Sequence, residues 1–104
     1  MKIAISSKGD TLDSEIDSHF GRCKFFAIYD SEEKSTLFID NTANALTEGA
    51  GPAALQLLTV RGVSKLVSGN FGVKIKVLSS DLNLQLIVMR ENHTISSIIN
   101  MLNH

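Results

Sequence analysis

The segment with the most evident chemistry is His19-Phe20-Gly21-Arg22-Cys23. Imidazole and thiolate both bind iron or zinc, so His19 and Cys23, four positions apart, are the candidate metal ligands. Arg22 adds donors for an anionic ligand, and with Lys24 it favours the thiolate form of the neighbouring cysteine. A closed zinc site needs four ligands. The spacing therefore leaves open a shared or transient metal site completed by exogenous ligands.

The same residues also have ordinary structural explanations. Cys23 leads into an apolar run and is equally suited to be a small core residue. The acidic residues before it belong to a connection long enough to be functional, yet they are also typical of a solvated loop. Because that connection is polar and has few apolar anchors, we expect it to be mobile when no ligand is bound. These acidic residues are Asp10, Asp13, Glu15 and Asp17.

Two glycine-containing segments are further candidates for ligand binding. In Gly49-Ala50-Gly51-Pro52, the free N–H groups at a helix start can hold an anion. In Gly69-Asn70-Phe71-Gly72, glycine permits close backbone approach and the asparagine offers both a donor and an acceptor. Turn formation, and capping of a helix by Asn70, explain the same residues equally well. The candidate contacts here are Gly49, Gly51, Gly69, Asn70 and Gly72.

Apolar periodicity divides the chain into five strands and three helices in the order βββαβαβα. The predicted strands are 2–6, 24–30, 35–40, 64–68 and 83–89. The predicted helices are one that begins at Pro52, one over 72–80 and one over 95–102. The second helix should bury Val73, Val77 and Leu78, and Thr94 should cap the third.

This order predicts a three-layer α/β/α domain of ribonuclease-H-like architecture, spanning 1–104 as one unit. Its mixed sheet should have the strand order 3-2-1-4-5, with strand 2 antiparallel, because βαβ units need parallel strands and right-handed crossovers. The carboxyl ends of the parallel strands then share one edge, where α/β sheets bind ligands. Four segments should meet there, namely 7–23, 41–51, 69–72 and 89–93.

Composition narrows the classes of function. The chain has 104 residues and a formal net charge of -1, which argues against nucleic acid as a partner. No run approaches the ~20 apolar residues that cross a bilayer, and the lone cysteine suits a reducing compartment. We therefore expect a cytoplasmic protein that is not bound to a membrane and is a monomer or a weak homodimer. The chain also lacks the nucleophile-elbow, phosphate-loop and zinc-protease motifs of common hydrolases.

The residues also resemble a known family, the dinitrogenase iron–molybdenum cofactor biosynthesis family of nitrogenase accessory domains. The similarity covers nearly the whole chain in order. Its most specific part is the His-Phe-Gly block followed by an aromatic strand. The matching pieces are Lys2-Ile3-Ala4-Ile5-Ser6-Ser7, Ser18-His19-Phe20-Gly21-Arg22-Cys23, Phe25-Phe26-Ala27-Ile28-Tyr29-Asp30, Asn41, Gly49-Ala50-Gly51 and Ser68-Gly69-Asn70-Phe71-Gly72.

The resemblance implies a ribonuclease-H-like fold and a carrier or scaffold rather than an enzyme. The cargo would be an iron–sulfur-containing metallocluster of the iron–molybdenum cofactor or precursor type. The partners would be the proteins that assemble or accept that cluster. The histidine of the block, His19, would contact the cluster together with Phe20, Gly21 and Arg22, and Cys23 is present as in some members.

Two other functions remain open from the sequence. One is a protein-interaction module without cargo, which would use the sheet edge to contact a partner. The other is a metal-dependent phosphoesterase that uses Asp10, Asp13 or Asp17. The first strand carries no carboxylate of the kind that nucleases of this architecture use, and two-metal chemistry needs several converging carboxylates.

Overall fold

The computed structural model describes residues 1–90 and 92–103, and its elements follow the predicted order. No helix in these residues has the length and apolar character needed to cross a membrane. A short 3-10 helix, which the periodicity does not reveal, precedes the first α-helix. The elements are β1 (Lys2–Ser7), β2 (Phe25–Asp30), β3 (Ser35–Asp40), the 3-10 helix (Thr42–Ala45), α1 (Ala50–Thr59), β4 (Val63–Ser68), α2 (Val73–Asp81), β5 (Gln85–Val88) and α3 (Ile95–Leu102).

The five strands form one mixed sheet in the order β3-β2-β1-β4-β5, as predicted. The central strand β1 is antiparallel to β2 and parallel to β4, while β2–β3 is an antiparallel pair and β4–β5 a parallel one. The carboxyl ends of β1, β3, β4 and β5 therefore lie at one edge, together with the start of β2. This confirms the α/β topology and identifies the edge at which the connecting loops meet.

Helices cover both faces of the sheet, so side chains that alternate along β1 enter two separate cores. Ala4 faces the side of α1 and α2, where it packs in a cluster with Leu55 and Leu58. Ile3 and Ile5 face the opposite side, where the cluster includes residues of α3. Strand β2 is buried on both faces, as its continuous apolar run predicts.

Helix α1 begins at Ala50, two residues earlier than predicted. Gly49 is its N-cap and has a φ of 72°, a left-handed conformation that favours glycine. The first helical hydrogen bond runs from the Ala53 amide to the Gly49 carbonyl at 3.1 Å. Pro52 consequently lies within the first turn, where its missing N–H has no helical partner to lose. Gly62, with a φ of 79°, follows the end of the helix.

The predicted buried face of α2 is wrong for Val73 and Val77, whereas Leu78 is half-buried and packs against the core. Val73 and Val77 are 77% and 59% exposed, whereas Ile75 and Ser79 are buried. The Ile75 side chain packs against Gly51 of α1, where an added Cβ would lie only 3.1 Å from it. The absence of a side chain at Gly51 leaves room for Ile75 to be buried in place of the neighbouring valines. Ser79, four residues after Ile75, lies on the same helix face and is buried with it.

Candidate binding site

The connection between β1 and β2, which carries the candidate histidine, is fixed by hydrogen bonds to the strand ends around it. Ser6 and Ser68 are fully buried, and their Oγ atoms lie 2.7 and 3.3 Å from the Asp17 carbonyl oxygen. The Asp17 amide donates to the Ser6 carbonyl, and the Ile16 amide donates to the His93 carbonyl, both at 2.9 Å. These bonds weigh against the mobile loop that length and polarity predict.

His19 is presented to solvent at this edge, with 72% of its side chain exposed. Its backbone N–H donates to Asp17 Oδ1 at 2.8 Å, and its ring Nδ1 lies 3.3 Å from the same oxygen and 3.2 Å from Ser18 Oγ. A carboxylate only accepts hydrogen bonds, so the contact with Asp17 requires the ring proton on Nδ1. Within the described part of the chain, the ring makes no hydrogen bond through Nε2, which is thus the nitrogen with a lone pair for a ligand.

Close glycine contacts fix the backbone on both sides of His19. A Cβ added at Gly21 would lie 2.7 Å from the Gly51 nitrogen, and one added at Gly69 would lie 2.7 Å from Ser18 Cα. Real Cβ atoms essentially never approach other atoms so closely. The histidine loop therefore packs backbone to backbone against the start of α1 and the end of β4, as only glycine at positions 21 and 69 permits.

Phe20 anchors the same loop in the core, although it was predicted to contact a ligand. Its side chain is 3% exposed, and its ring centroid lies 5.4 Å from that of Phe26 and 5.5 Å from that of Phe71. Aromatic pairs at these separations add to the energy of burial. The alternation within the His-Phe-Gly block thus points the phenyl ring inward and leaves the imidazole outside.

Asn41 connects this loop to the start of the 3-10 helix. It is 2% exposed, and its Nδ2 donates to the carbonyls of Gly21 (3.1 Å) and Cys23 (2.9 Å). Its Oδ1 accepts from the Ala43 amide at 3.2 Å. All of these are backbone groups, so one side chain fixes the course of two segments of the carboxyl edge.

Arg22 has a role that the sequence does not reveal. Its Nη1 donates to the carbonyls of Asn44 and Leu46, and its Nη2 donates to the carbonyl of Thr47 at 3.2 Å. The guanidinium is exposed but is already engaged by three backbone acceptors. In this structure Arg22 holds the segment before α1, and its predicted contact with an anionic ligand would require it to release these carbonyls.

The prediction that Cys23 is a thiolate is wrong. Its side chain is fully buried, and Sγ donates to the Phe20 carbonyl at 3.3 Å. Burial raises the pKa of the Cys23 thiol from 9.0 to about 12, and the Asp17 carboxylate contributes in the same direction. Desolvation is the largest cause of the shift, and the exposed side chains of Arg22 and Lys24 do not offset it. Cys23 is thus a protonated core residue here, the alternative that the sequence left open.

We expect Cys23 to react slowly with a thiol reagent in the native protein and rapidly once the protein is unfolded. The buried thiol presents neither a surface nor a thiolate to the reagent. The measurement is the rate of labelling with a chromogenic disulfide with and without denaturant. Asn70→Cys in a Cys23→Ala background is the exposed control and should react at once. Native labelling of Cys23 as fast as that control would return it to the candidate ligands.

The remaining residues predicted to contact a ligand also lie at this edge, but they differ in how closely they are packed. Gly51 contacts Ile75, whereas Gly49 and Gly72 each have open space where a Cβ would be. Asn70 is exposed, and the N-cap of α2 is Gly72, so the alternative that Asn70 caps this helix is wrong. The contacts of Gly21 with Gly51, of Gly69 with Ser18 and of Ile16 with His93 join the four segments predicted to meet at this edge. Their predicted convergence is therefore confirmed.

The arrangement of the described His, Cys, Asp and Glu side chains bears on what this edge can bind. Within residues 1–90 and 92–103, no three His, Cys, Asp or Glu side chains form a group that could hold a metal ion. The arrangement thus offers one imidazole rather than a closed set of protein ligands. The phosphoesterase alternative needs converging carboxylates and gains no support from the described residues.

Sequence reasoning missed the supporting residues of the site. The sequence pattern places Asp17 among the solvated acids, yet its carboxylate contacts His19, and the Asp-x-His spacing is the available signal. Ser6 and Ser68 gave no signal, because a serine at a strand end is common and only the fold shows that both face the Asp17 carbonyl.

Fold and site together define a small α/β domain in which the exposed imidazole of His19 is held by Asp17 at the carboxyl edge of the sheet. The profile of the dinitrogenase iron–molybdenum cofactor family matches residues 1–104. The chain belongs to that family.

Known proteins and solved structures agree with this membership. The chain is similar to the apo form of the orange protein from Desulfovibrio gigas, with a TM-score of 0.90 and 26% identity over 97% of this chain and 85% of that one. It is also similar to a candidate NifB protein of the DUF35 family from Thermotoga, with a TM-score of 0.83 and 29% identity over the same shares. An uncharacterised protein from Methanocaldococcus jannaschii is 34% identical in a 77-residue alignment that covers 71% of this chain and 62% of that protein. The matched region thus spans less than two-thirds of that relative.

Proposed function

We propose that this protein is a carrier or scaffold that binds an iron–sulfur-containing metallocluster and takes part in its assembly or transfer. The observation that carries the proposal is the exposed His19 ring, whose Nδ1 is held by Asp17 at the carboxyl edge. Membership of the iron–molybdenum cofactor family and similarity to the orange protein support a cargo of this kind. The partners we propose are cytoplasmic proteins that assemble the cluster or accept it.

His19 Nε2 is the atom that we assign to the metal. Metal-binding histidines commonly donate the other ring N–H to a carboxylate, which fixes the ring and raises its basicity. Asp17 stands in that relation to His19, and its side chain is only 18% exposed. Its own backbone is held by the buried hydroxyls of Ser6 and Ser68, so the histidine is supported from the core outward.

A single protein ligand suits transfer better than storage. A closed set of four thiolates or imidazoles would bind the metal tightly and release it slowly. With His19 as the protein ligand, the cluster keeps its other coordination positions for sulfide, solvent or an acceptor protein. The buried, protonated Cys23 would be available to the cluster only after a local rearrangement.

We expect His19→Ala to abolish most cluster uptake while changing the free energy of unfolding by no more than about 0.5 kcal/mol, because the ring is exposed. Asp17→Asn should weaken uptake by roughly 10–100-fold, the usual effect of removing a carboxylate behind a metal-bound histidine. The measurement is visible absorption and bound iron after anaerobic reconstitution with iron and sulfide, beside thermal unfolding of each variant.

His93→Gln is the matched control, because it removes a histidine from the same edge outside the His-Phe-Gly block. It should retain uptake. If His19→Ala takes up as much iron and sulfide as the unaltered protein, the assignment is wrong and a protein-interaction module becomes the better description. A large fall in melting temperature for His19→Ala would likewise contradict the exposed position of the ring.

A further inference from the structure

Beside His19 lies a small polar cavity that the proposed function does not use. Its volume is about 90 Å³, several times what one water molecule requires. Two basic side chains, Lys8 and Arg90, line it together with the hydroxyl-bearing Ser18 and the amide-bearing Asn92. Gly69 and the apolar side chains of Ile16 and Met89 complete the wall of the cavity.

Among the described residues that line this cavity, the charged side chains are both basic. None of these described residues carries a carboxylate. Within the part of the chain that the structure describes, the ion pairs are Met1–Glu32 and His19–Asp17, so neither Lys8 nor Arg90 is neutralised by a described acid. Two cations around one concave polar surface create a positive potential that attracts an anion.

The donors also fit a particular shape of ligand. Arg90 can offer a planar fork of N–H groups, and Lys8 an ammonium with three rotatable donors. Ser18 and Asn92 add neutral polar groups to the lining. A space of this size with these donors suits a small tetrahedral oxyanion better than an elongated ligand.

We propose that the cavity formed by Lys8, Ser18, Arg90 and Asn92 binds a small tetrahedral dianion. Ser18 also places the bound anion next to the histidine, since its Oγ lies 3.2 Å from His19 Nδ1 and the residue lines the cavity. The edge then has two adjacent parts, an imidazole for a metal and a basic cavity for an anion. Binding of the anion alone requires no iron and no sulfide.

The test is a titration of the isotopically labelled protein with sodium sulfate and with sodium molybdate, followed by amide NMR at constant ionic strength. We expect saturable shifts at the amides of Ser18, Gly69 and Asn92. Lys8→Gln and Arg90→Gln should each weaken binding about tenfold or more, the equivalent of ~1.4 kcal/mol. Perchlorate has the same shape with one charge and should bind at least tenfold more weakly.

Lys34→Gln and Arg61→Gln are the matched controls, because both exposed residues lie beyond the opposite ends of the strands. They should leave the dissociation constants for sulfate and molybdate unchanged. Shifts that do not saturate, equal binding of perchlorate, or equal losses in the control variants would each overturn the proposal. Because no iron is present, His19→Ala should still bind the anion, so failure here is distinct from failure of the cluster proposal.

Discussion

Asn41→Ala should lower the free energy of unfolding by about 3 kcal/mol, although the residue lies outside every regular strand and α-helix. The substitution leaves the Gly21 carbonyl without its donor and the Ala43 amide without its acceptor, whereas the Cys23 carbonyl keeps the Asn44 Nδ2 donor at 3.4 Å. Each buried group left without a partner costs roughly 1–3 kcal/mol. For a domain of this size, the melting temperature should fall by more than about 10 °C. Thermal and denaturant unfolding measure both quantities.

Two further variants separate hydrogen bonding from the loss of an asparagine. Asn70→Ala removes an exposed asparagine at the same edge and should change stability by less than about 0.5 kcal/mol. Asn41→Asp keeps an acceptor for the Ala43 amide but directs a second oxygen at the carbonyls of Gly21 and Cys23. It should be at least as damaging as alanine at neutral pH. A stable Asn41→Asp variant would show that the two donated bonds contribute little.

The fold follows from the sequence because its signals are local and repeated. The continuous apolar run of β2, the hairpin turn after it and the i, i+3, i+4, i+7 spacing of α3 each identify one element. The rule that βαβ crossovers are right-handed then restricts how these elements connect. Local sequence signals also predict single contacts. Thr94 is the predicted N-cap of α3, and its side chain accepts a hydrogen bond from the Ser97 amide.

The site was less predictable because its contacts join residues far apart in the chain. The charges of Arg22 and Lys24 favour a thiolate at Cys23, and only the packing around that residue shows that desolvation prevails. The amphipathic pattern of α2 is weak, so the fit of Ile75 beside Gly51 decides which face is buried. Neither outcome has a signal in the neighbouring residues of the sequence.

Gly21→Ala is the substitution that we expect to damage the site most directly. Its Cβ would lie 2.7 and 2.8 Å from the nitrogen and Cα of Gly51, and both are backbone atoms. A flexible side chain could move aside, whereas here the histidine loop or the first turn of α1 must shift. We expect a loss of stability of roughly 1–3 kcal/mol, the usual range for overpacking. Iron and sulfide uptake should also fall, because the shift moves His19 relative to the rest of the edge.

Gly72→Ala is the matched control and distinguishes a packing glycine from one that a ligand approaches. Gly72 has a φ of −68°, and an added Cβ meets nothing within 4 Å. No clash is added, so the free energy of unfolding should fall only by about 1 kcal/mol, the cost of alanine as a poorer N-cap than glycine. If Gly72→Ala loses no more stability than this but loses uptake, the ligand approaches the backbone there, as the sequence predicted. If Gly21→Ala is as stable as the unaltered protein, the close packing of the histidine loop against α1 is wrong.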